Sequence, residues 1–275
     1  MEKFTLNNGI DKPVIGLGTY PMKGNILIET MEKAIELGYS SFDTATAYKN
    51  HEEIGEVINN SIVAREEVFI TTKLSNIHQK HENIEEVLKR SLSILGLKYV
   101  DMYLIHWPVP DYFLKSWVEL EQLYKKGLVR SIGVCNFHEH HLRDLIEIAN
   151  ILPAINQIEL HPLLTQKPLI KFCSKYGIKI EAYSPLARMH NYIQNSDILK
   201  ELADRYQKSI PQIILRWNYQ NGVISIPKTQ SHHRLSENIS IYDFHLSNEE
   251  MISIDDINMN FRVRHDPDNC DFDKL

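Results

Sequence analysis

Five glycines recur along the chain at points where a predicted helix ends and a predicted strand begins. These helix-terminating glycines are Gly38, Gly96, Gly127, Gly177 and Gly222. Glycine is favoured just past the end of a helix because it adopts the left-handed conformation without the strain that a Cβ atom causes. A strand-like apolar run follows each of them. The pattern therefore predicts a chain built from repeated strand and helix units.

The spacing of these glycines indicates eight such units. Successive glycines are 58, 31, 50 and 45 residues apart, and the two longest intervals each contain an extra strand-like run, at 68–72 and 154–159. Alternating strands and helices imply right-handed crossovers and a parallel sheet. Eight units favour a single (β/α)8 barrel, the TIM barrel, which typically needs ~250 residues. The first strand-to-helix turn, at 16–21, lacks the third glycine of a dinucleotide fingerprint, so a Rossmann fold is the weaker interpretation.

Both ends of the chain add to this barrel. Asn7-Asn8-Gly9 lies between two short strand-like runs and predicts an N-terminal β-hairpin. Residues 261–275 are polar and aperiodic, and the sequence leaves open whether they form a C-terminal loop over the barrel mouth or a frayed tail. Because no linker or low-complexity tract interrupts the pattern, residues 1–275 are expected to form one domain.

Composition argues against several classes of partner. A net charge of −6 and a pI near 6.1 indicate no basic surface for nucleic acid or an anionic membrane. The N-terminus has no apolar signal region, and no apolar run approaches the ~18 residues of a membrane span. Three widely separated cysteines, Cys135, Cys173 and Cys270, indicate a reducing compartment rather than a disulfide framework or a zinc knuckle. We therefore expect a soluble, cytoplasmic protein.

Three neighbouring strands end on a lone ionisable side chain. These residues are Asp43, Lys73 and His106, and Tyr48 follows Asp43 by five positions. If the strands are parallel neighbours, all four side chains converge at one rim, where they can deliver a proton to a carbonyl oxygen. Singly, each has an ordinary structural interpretation, as a helix cap, a solvated lysine, a core histidine or a packed tyrosine. Their occurrence together favours a catalytic site.

The other strands also present polar or aromatic residues at the same rim. The strand-end residues in chain order are Thr19-Tyr20, Asp43, Lys73, His106-Trp107, Cys135-Asn136, Gln157–Glu159, Tyr183-Ser184 and Lys228-Thr229. The histidine clusters at 138–141 and 232–233 are interpreted instead as solvated helix faces. No metal is assigned to them, because no strand carries the His-x-His pair of a hydrolytic metal site.

With these residues in place, the chain resembles the aldo-keto reductase superfamily over essentially its whole length, and most of all the bacterial diketogluconate and glyoxal reductases. The matching motifs are Gly16–Thr19, Phe42–Ala45 with Tyr48, Thr72-Lys73, Asp101–Pro108, Gly133–Phe137, Asn156–Glu159 with His161-Pro162, Tyr183–Leu186 and Ile226–Thr229. The resemblance implies NADPH as cofactor, a barrel without a Rossmann domain, a largely monomeric state and the catalytic tetrad Asp43, Tyr48, Lys73 and His106.

The resemblance also implies a cofactor site along the rim. The implied cofactor-binding residues are Gly18, Thr19, Cys135, Asn136, Gln157, Tyr183, Ser184, Leu186, Ile226, Pro227, Lys228, Thr229, Gln230, Ser231, Arg234, Glu237 and Asn238. Among them, Asn136 and Gln157 are expected to bond the nicotinamide amide and Tyr183 to stack on its ring, while 228–238 meet the adenosine phosphate. Cys135 departs from the family pattern, since a serine hydroxyl is usual there.

Tyr48 is the expected proton donor. A lysine ammonium about 4 Å from the phenol contributes roughly 4 kcal/mol at an effective dielectric of ~20, or ~3 pKa units toward a stronger acid. The Asp43 charge is expected to offset part of this lowering of the Tyr48 pKa. Asp43 is expected to orient Lys73, and His106 to orient the substrate carbonyl. Tyr20, Trp107 and His106 should line the substrate pocket. The short segment after His106 indicates an open pocket for small aldehydes and α-dicarbonyls.

Two other classes of function stay open. One is a binding or regulatory protein that keeps the barrel and cofactor without turnover. The other is a metal-dependent hydrolase. Its candidate ligands are Asp43, His51, Glu52, His106 and His161.

Overall fold

The computed structural model describes residues 1–274, and within them the elements alternate as the glycine spacing predicts. The strands are β1 (Lys3–Thr5), β2 (Asp11–Pro13), β3 (Leu17–Gly18), β4 (Ser41–Asp43), β5 (Phe69–Leu74), β6 (Met102–Ile105), β7 (Ile132–Cys135), β8 (Ile155–Glu159), β9 (Lys179–Tyr183) and β10 (Ile224–Ser225). The helices are α1 (Gly24–Glu36), α2 (His51–Asn60), α3 (Asn76–His81), α4 (Ile84–Leu95), α5 (Phe113–Lys125), α6 (Glu139–Ile148), α7 (Lys167–Lys175), α8 (Asn191–Gln194), α9 (Asp197–Tyr206), α10 (Ile210–Gln220), α11 (His232–Ile239) and α12 (Asn248–Asp255).

Strands β3 to β10 form one parallel sheet in which each strand pairs with its neighbour in sequence. The sheet curls until its two edges meet. There the Gly16 N–H donates to Ser225 O and the Ser225 N–H donates to Val14 O, each at 2.9 Å. The predicted (β/α)8 barrel is confirmed. Because all eight strands are parallel, their carboxyl ends share one rim.

Local turn chemistry explains where the elements stop. All five helix-terminating glycines adopt positive φ, from +65° at Gly96 to +92° at Gly38. Ser209 and Ser247 open α10 and α12 with capping boxes, in which the serine side chain and the third helical residue satisfy each other's backbone N–H groups. The predicted hairpin is present as the antiparallel pair β1 and β2, with Gly9 at φ +82° in its turn.

Some strand bounds differ from the sequence-based prediction. The strand expected at 14–17 is reduced to β3, since residues before it pair with the last strand only through an isolated bridge at Ile15. Likewise, the strands expected near 99 and 128 begin three or four residues later, because Val100 and Val129 form only an isolated bridge to each other. Apolar runs mark where a strand lies but not where its ladder becomes regular.

The hydrophobic core has two parts. A larger cluster lies between barrel and helices and includes the fully buried Trp117 and Trp217. A smaller cluster brings Leu6 of the hairpin together with Phe69, Met102 and other strand residues. The hairpin thus packs against the barrel interior at the end opposite the carboxyl rim.

The C-terminal segment folds over the barrel mouth. The Val263 and Arg264 N–H groups donate to the Glu159 carboxylate at 2.6 and 3.1 Å, and Glu159 ends β8 at the rim. Farther along, Phe272 O accepts from the Asn76 side chain at 3.0 Å. Of the two alternatives left open by the sequence, the ordered loop is therefore correct for residues 261–274, while Leu275 lies outside the described residues. None of the helices in 1–274 is long and apolar enough to cross a membrane.

Candidate active site

Adjacent strands β4 and β5 place a buried ion pair directly under the barrel mouth. Lys73 Nζ lies 2.5 Å from Asp43 Oδ1 and donates to Thr44 O at 2.9 Å. Its remaining contact is the Tyr48 hydroxyl, at 3.4 Å. Lys73 is 0% exposed, so all three of its N–H donors are directed by protein groups. The predicted convergence of these residues is present.

Tyr48 is presented by a short 3-10 turn between β4 and α2, at Thr46–Tyr48. The Thr46 hydroxyl donates to Lys73 O at 2.9 Å and ties this turn to β5. Around the phenol, the ring centroids of Tyr20 and His106 lie 5.0 and 5.8 Å from that of Tyr48. Tyr20 is 49% exposed and stands at the open side, whereas Trp107 is largely buried. Met22, two residues after Tyr20, packs in the hydrophobic core.

The electrostatics correct one expectation. Burial raises the pKa of Tyr48, the Lys73 ammonium lowers it and the Asp43 charge raises it, and the net effect is a pKa of about 12. The predicted net lowering of this pKa is therefore wrong in the protein without cofactor. That prediction included the charges of Lys73 and Asp43 but not the loss of water around the phenol, which is the largest effect. Burial lowers the pKa of Lys73 in itself, but Asp43 reverses this and raises it, so the ammonium stays charged.

His106 is a neutral imidazole in this setting. Burial, followed by the Lys73 charge and then the Arg264 charge, lowers its pKa well below the ordinary value. A neutral imidazole retains one N–H donor. His106 can therefore donate a hydrogen bond to a carbonyl oxygen without changing charge near neutral pH.

The residues expected to hold the nicotinamide amide form one hydrogen-bonded group beside the ion pair. Asn136, with φ +66° at the end of β7, donates to His106 O at 3.0 Å and accepts from the Tyr183 hydroxyl at 2.7 Å. Cys135 is buried behind it, with Sγ 3.5 Å from Gln157 Oε1. Burial raises the pKa of Cys135, which keeps it a thiol.

Gln157 connects this group to the ion pair. Its Nε2 donates to Asp43 Oδ2 and to Glu181 Oε2, each at 2.8 Å. An amide nitrogen has two hydrogens, so both are used and only Oε1 is left to accept from a bound group. Gln157 Oε1, which lies 3.5 Å from Cys135 Sγ, still has a lone pair that can accept from a bound group.

The second half of the expected cofactor site lies along the eighth strand and α11. Gly18 packs so closely here that an added Cβ would lie 2.9 Å from Ile226 O. The Ser231 side chain caps α11 by accepting from the Arg234 N–H at 3.4 Å. Lys228 and Arg234 are exposed, and within residues 1–274 neither forms an ion pair. Two cationic side chains without an ion-pair partner, beside the N-terminus of a helix, can bind an anionic group such as a dinucleotide phosphate.

The remaining predicted cofactor residues divide by exposure. Those buried are Thr19, Pro227, Thr229 and Asn238; those half-buried are Ser184, Leu186 and Glu237; those exposed are Gln230 and Ser231. Glu237 lies 3.2 Å from His233 in the same helix. Ser184 has φ +46°, and a run of positive φ follows at 187–189.

Sequence reasoning missed a second buried ion pair below the first. Lys12 Nζ lies 3.1 Å from Glu181 Oε1, and both side chains are 0% exposed. Lys12 also donates to Thr71 Oγ1 at 3.2 Å. Since Gln157 bridges Glu181 and Asp43, polar contacts run from the hairpin to Tyr48. No local signal marks this pair, because β2 also contains Asp11 and β9 also contains Lys179.

The histidine cluster at 138–141 is not the solvated face that the sequence predicts. The His138 N–H donates to His141 Nδ1 at 3.1 Å, and the His138 side chain accepts from the His141 N–H in return. Their Nε2 atoms face Asp266 and Asp268 of the C-terminal loop at 3.4 to 3.8 Å. Because each ring already accepts through its other nitrogen, Nε2 carries the proton. The cluster fastens the loop to the start of α6.

In the part of the chain that the structure describes, side chains lie close enough together to share a metal ion only where the histidine cluster meets the C-terminal loop. The two groups are His140, His141, Asp268 and His138, Asp266, Asp268. The candidate hydrolase ligands form no such group among the described residues. Of these, His51 Nε2 lies 2.9 Å from Thr72 Oγ1, and His161 Nε2 lies 2.9 Å from the Glu159 carboxylate. The geometry does not favour the hydrolase alternative.

The closed parallel barrel and the Asp43, Lys73, Tyr48 and His106 group at its carboxyl rim define a barrel enzyme of the carbonyl-reducing class. The family model described as "Aldo/keto reductase family" matches residues 14–259. The chain therefore belongs to the aldo/keto reductase family. The resemblance inferred from the sequence motifs is confirmed, and with it NADPH-dependent carbonyl reduction as the class of reaction.

Individual relatives are similar over nearly their whole length. Glyoxal reductase of Bacillus subtilis (strain 168) is 46% identical, with 96% of this chain and 95% of that protein covered. Methylglyoxal reductase DkgA of Escherichia coli (strain K12) is 42% identical, with 96% of each covered. Among solved structures, an aldo-keto reductase from Bombyx mori in complex with NADP is 36% identical, with a TM-score of 0.89 and 97% and 96% of the two chains covered.

The protonation states of Tyr48 and His106 predict that carbonyl reduction is independent of pH near neutrality. With a Tyr48 pKa of about 12 the phenol remains protonated, and His106, titrating well below its ordinary pKa, remains neutral. We expect kcat/KM for aldehyde reduction at saturating NADPH to stay constant between about pH 6 and about pH 9. A decline that reports an acid titrating near pH 7 would show that Lys73 dominates over burial.

The lower ion pair predicts a coupled effect on stability. Lys12→Met or Glu181→Gln alone leaves one charge buried without its partner, which should lower the free energy of unfolding by about 3–5 kcal/mol. The double variant should recover most of this loss, because no charge is left unpaired. Urea unfolding of the four proteins measures it. Additive losses in the double variant would mean that the two residues do not act as a pair.

Proposed function

We propose that this chain reduces small aldehydes and α-dicarbonyl compounds to alcohols, with Tyr48 as proton donor. The observation that carries the proposal is the contact of Lys73 with both Asp43 and the Tyr48 hydroxyl, inside a barrel where Lys73 has no exposure. The names of two relatives, glyoxal reductase and methylglyoxal reductase, support this choice of substrate class.

Each of the four residues has a distinct task. NADPH, when bound, supplies the hydride. The neutral His106 donates to the carbonyl oxygen and orients it, and Tyr48 holds the proton that this oxygen takes up. The phenolate left behind lies beside the Lys73 ammonium, whose attraction is about 4 kcal/mol at 4 Å and an effective dielectric of 20. The lysine therefore acts on the charge that appears during the reaction, even though burial keeps the resting phenol protonated.

Cofactor binding is divided between the two halves of the rim. Asn136 and Gln157 Oε1 would hold the nicotinamide amide, and Tyr183 would stack on its ring. Lys228 and Arg234 would hold the phosphate on the adenosine ribose, since a planar guanidinium can bond two phosphate oxygens. The further residues assigned to the cofactor are Gly18, Thr19, Cys135, Ser184, Leu186, Ile226, Pro227, Thr229, Gln230, Ser231, Glu237 and Asn238.

The substrate pocket is lined by Tyr20, His106 and Trp107. Only a short segment separates His106 from α5, which begins at Phe113, so the pocket is open on that side. An open pocket with aromatic walls suits small carbonyl compounds.

We further propose that residues 1–275 work as one domain, as a monomer in the cytoplasm, without nucleic acid or membrane partners. The net charge of −6 supports the absence of nucleic acid. The free thiols of Cys135, Cys173 and Cys270 support a reducing compartment. A purely regulatory barrel is less favoured, because the tetrad geometry is intact.

Two variants test the assignment and serve as each other's controls. Tyr48→Phe removes only the proton donor, so carbonyl reduction should be lost while the Kd for NADPH stays nearly unchanged.

Arg234→Ala should weaken NADPH binding by about tenfold or more, since a hydrogen bond to a charged group contributes ~1.5–3 kcal/mol, and should leave NADH binding almost unchanged. Both are measured by NADPH absorbance loss with an aldehyde panel and by nucleotide titration.

Other outcomes would contradict these assignments. Near-normal turnover of folded Tyr48→Phe would remove Tyr48 from the mechanism. Equal weakening of NADH and NADPH in Arg234→Ala would mean that the phosphate lies elsewhere. Binding of NADPH without reduction of any carbonyl by the unaltered protein would favour the regulatory alternative.

A further inference from the structure

Asn50 follows the proton donor by two positions and stands just before the first residue of α2. An asparagine in this place usually accepts a hydrogen bond from the first N–H groups of its helix. Asn83 does so at the start of α4, where its side chain accepts from the Glu86 N–H at 3.1 Å. In the described chain, the Asn50 side chain makes no such bond to α2. It is 0% exposed and turns into the protein, which indicates a different task.

The Asn50 amide joins two segments of the site. Its Oδ1 accepts from the Thr44 hydroxyl at 2.6 Å, and its Nδ2 donates to Thr19 Oγ1 and to Met22 O, each at 3.1 Å. The Thr19 hydroxyl in turn donates to Asp43 O at 2.8 Å. Both hydrogens of the amide are used in this way. The amide therefore holds the end of β4 against the turn that follows β3.

These bonds lead directly to the ion pair. Thr44 O accepts from Lys73 Nζ at 2.9 Å, and the Thr44 N–H donates to Thr71 O at 2.8 Å. Thr44 is 0% exposed, and its backbone and its hydroxyl are both held. If the hydroxyl loses its partner, the carbonyl that takes one of the three hydrogens of Lys73 is free to shift. The ammonium then shifts with it relative to Tyr48.

The backbone beside Asn50 is strained. Lys49, which lies between Tyr48 and Asn50, has φ +54° and ψ +47°, in the left-handed region that a lysine rarely adopts. Such a conformation persists only where the surrounding structure holds it. The three hydrogen bonds of Asn50 hold the chain at the next residue. Asn50 therefore also fixes the turn that presents the phenol.

We propose that Asn50 is a positioning residue for carbonyl reduction, which acts through Thr44 and Lys49 to fix Lys73 and Tyr48 relative to each other. This inference rests on the proposed role of Tyr48 as proton donor. Within residues 1–274, Asn50 forms no hydrogen bond with either of the two groups that it positions. Its effect belongs to the rate of the chemical step, because small misplacements of catalytic groups slow that step strongly.

Asn50→Ala tests the proposal, with Asn83→Ala as the matched control. Each variant removes an asparagine side chain from the start of a helix, but only Asn50 bonds to the site. For Asn50→Ala we expect kcat for a small aldehyde at saturating NADPH to fall about tenfold or more, while KM and the Kd for NADPH change less than about twofold. Asn83→Ala should lower the midpoint of urea unfolding and leave all three constants unchanged.

Thr44→Val makes the test independent of the stability of Asn50→Ala. It keeps the backbone carbonyl and the branched shape of the side chain, and removes the hydroxyl that donates to Asn50. Its kcat should fall about threefold, as expected for the loss of one neutral hydrogen bond. The variant that combines it with Asn50→Ala should be no slower than Asn50→Ala alone, because both changes break the same contact.

A kcat for Asn50→Ala as high as that of Asn83→Ala, additive losses in the double variant, or a loss confined to KM or to NADPH binding would overturn the proposal while reduction itself stands. If Asn50→Ala does not fold, Thr44→Val decides alone, and an unchanged kcat overturns the proposal. Near-normal turnover of Tyr48→Phe is a separate failure. It would remove the proposed proton donor, and this inference would fail with it.

Discussion

The ion pair between Asp43 and Lys73 is the interaction on which the rest of the site depends. A lysine with no exposure stays charged here because a carboxylate lies 2.5 Å away and Thr44 O accepts a second hydrogen. Breaking such a pair by removing one partner leaves an uncompensated buried charge, which costs about 3–5 kcal/mol. The barrel therefore maintains a fixed positive charge beside Tyr48, in surroundings with too little water to screen it.

That ion pair is supported from below. Gln157 donates to both Asp43 and Glu181, and Lys12 of the hairpin balances the charge of Glu181. Two carboxylates bridged by one amide would otherwise repel each other inside the barrel. The N-terminal hairpin thus contributes to the electrostatics of the opposite rim as well as packing against the barrel interior.

The sequence predicts the barrel and most of the candidate site, and the features that it does not predict depend on long-range contacts. Helix-terminating glycines such as Gly38 and Gly96 indicate a local left-handed backbone conformation at a helix end. The order of helices and strands, and the convergence of the strand ends, could therefore be predicted. The pairing of Lys12 with Glu181 joins residues 169 positions apart and has no local signal. The pKa of Tyr48 depends on how much water its surroundings exclude, and the orientation of the 261–274 loop depends on contacts with Glu159 and His138, which only the folded chain shows.

Asp43 and Lys73 act on Tyr48 as one unit. A double-mutant cycle on kcat/KM for aldehyde reduction tests it, with Asp43→Asn, Lys73→Met and the combined variant, each with its NADPH affinity checked. We expect a severe loss of kcat/KM in Lys73→Met, a milder loss in Asp43→Asn because the lysine remains, and no greater loss in the double variant than in Lys73→Met alone. Independent, additive losses, or a consistently larger loss in Asp43→Asn than in Lys73→Met, would contradict it.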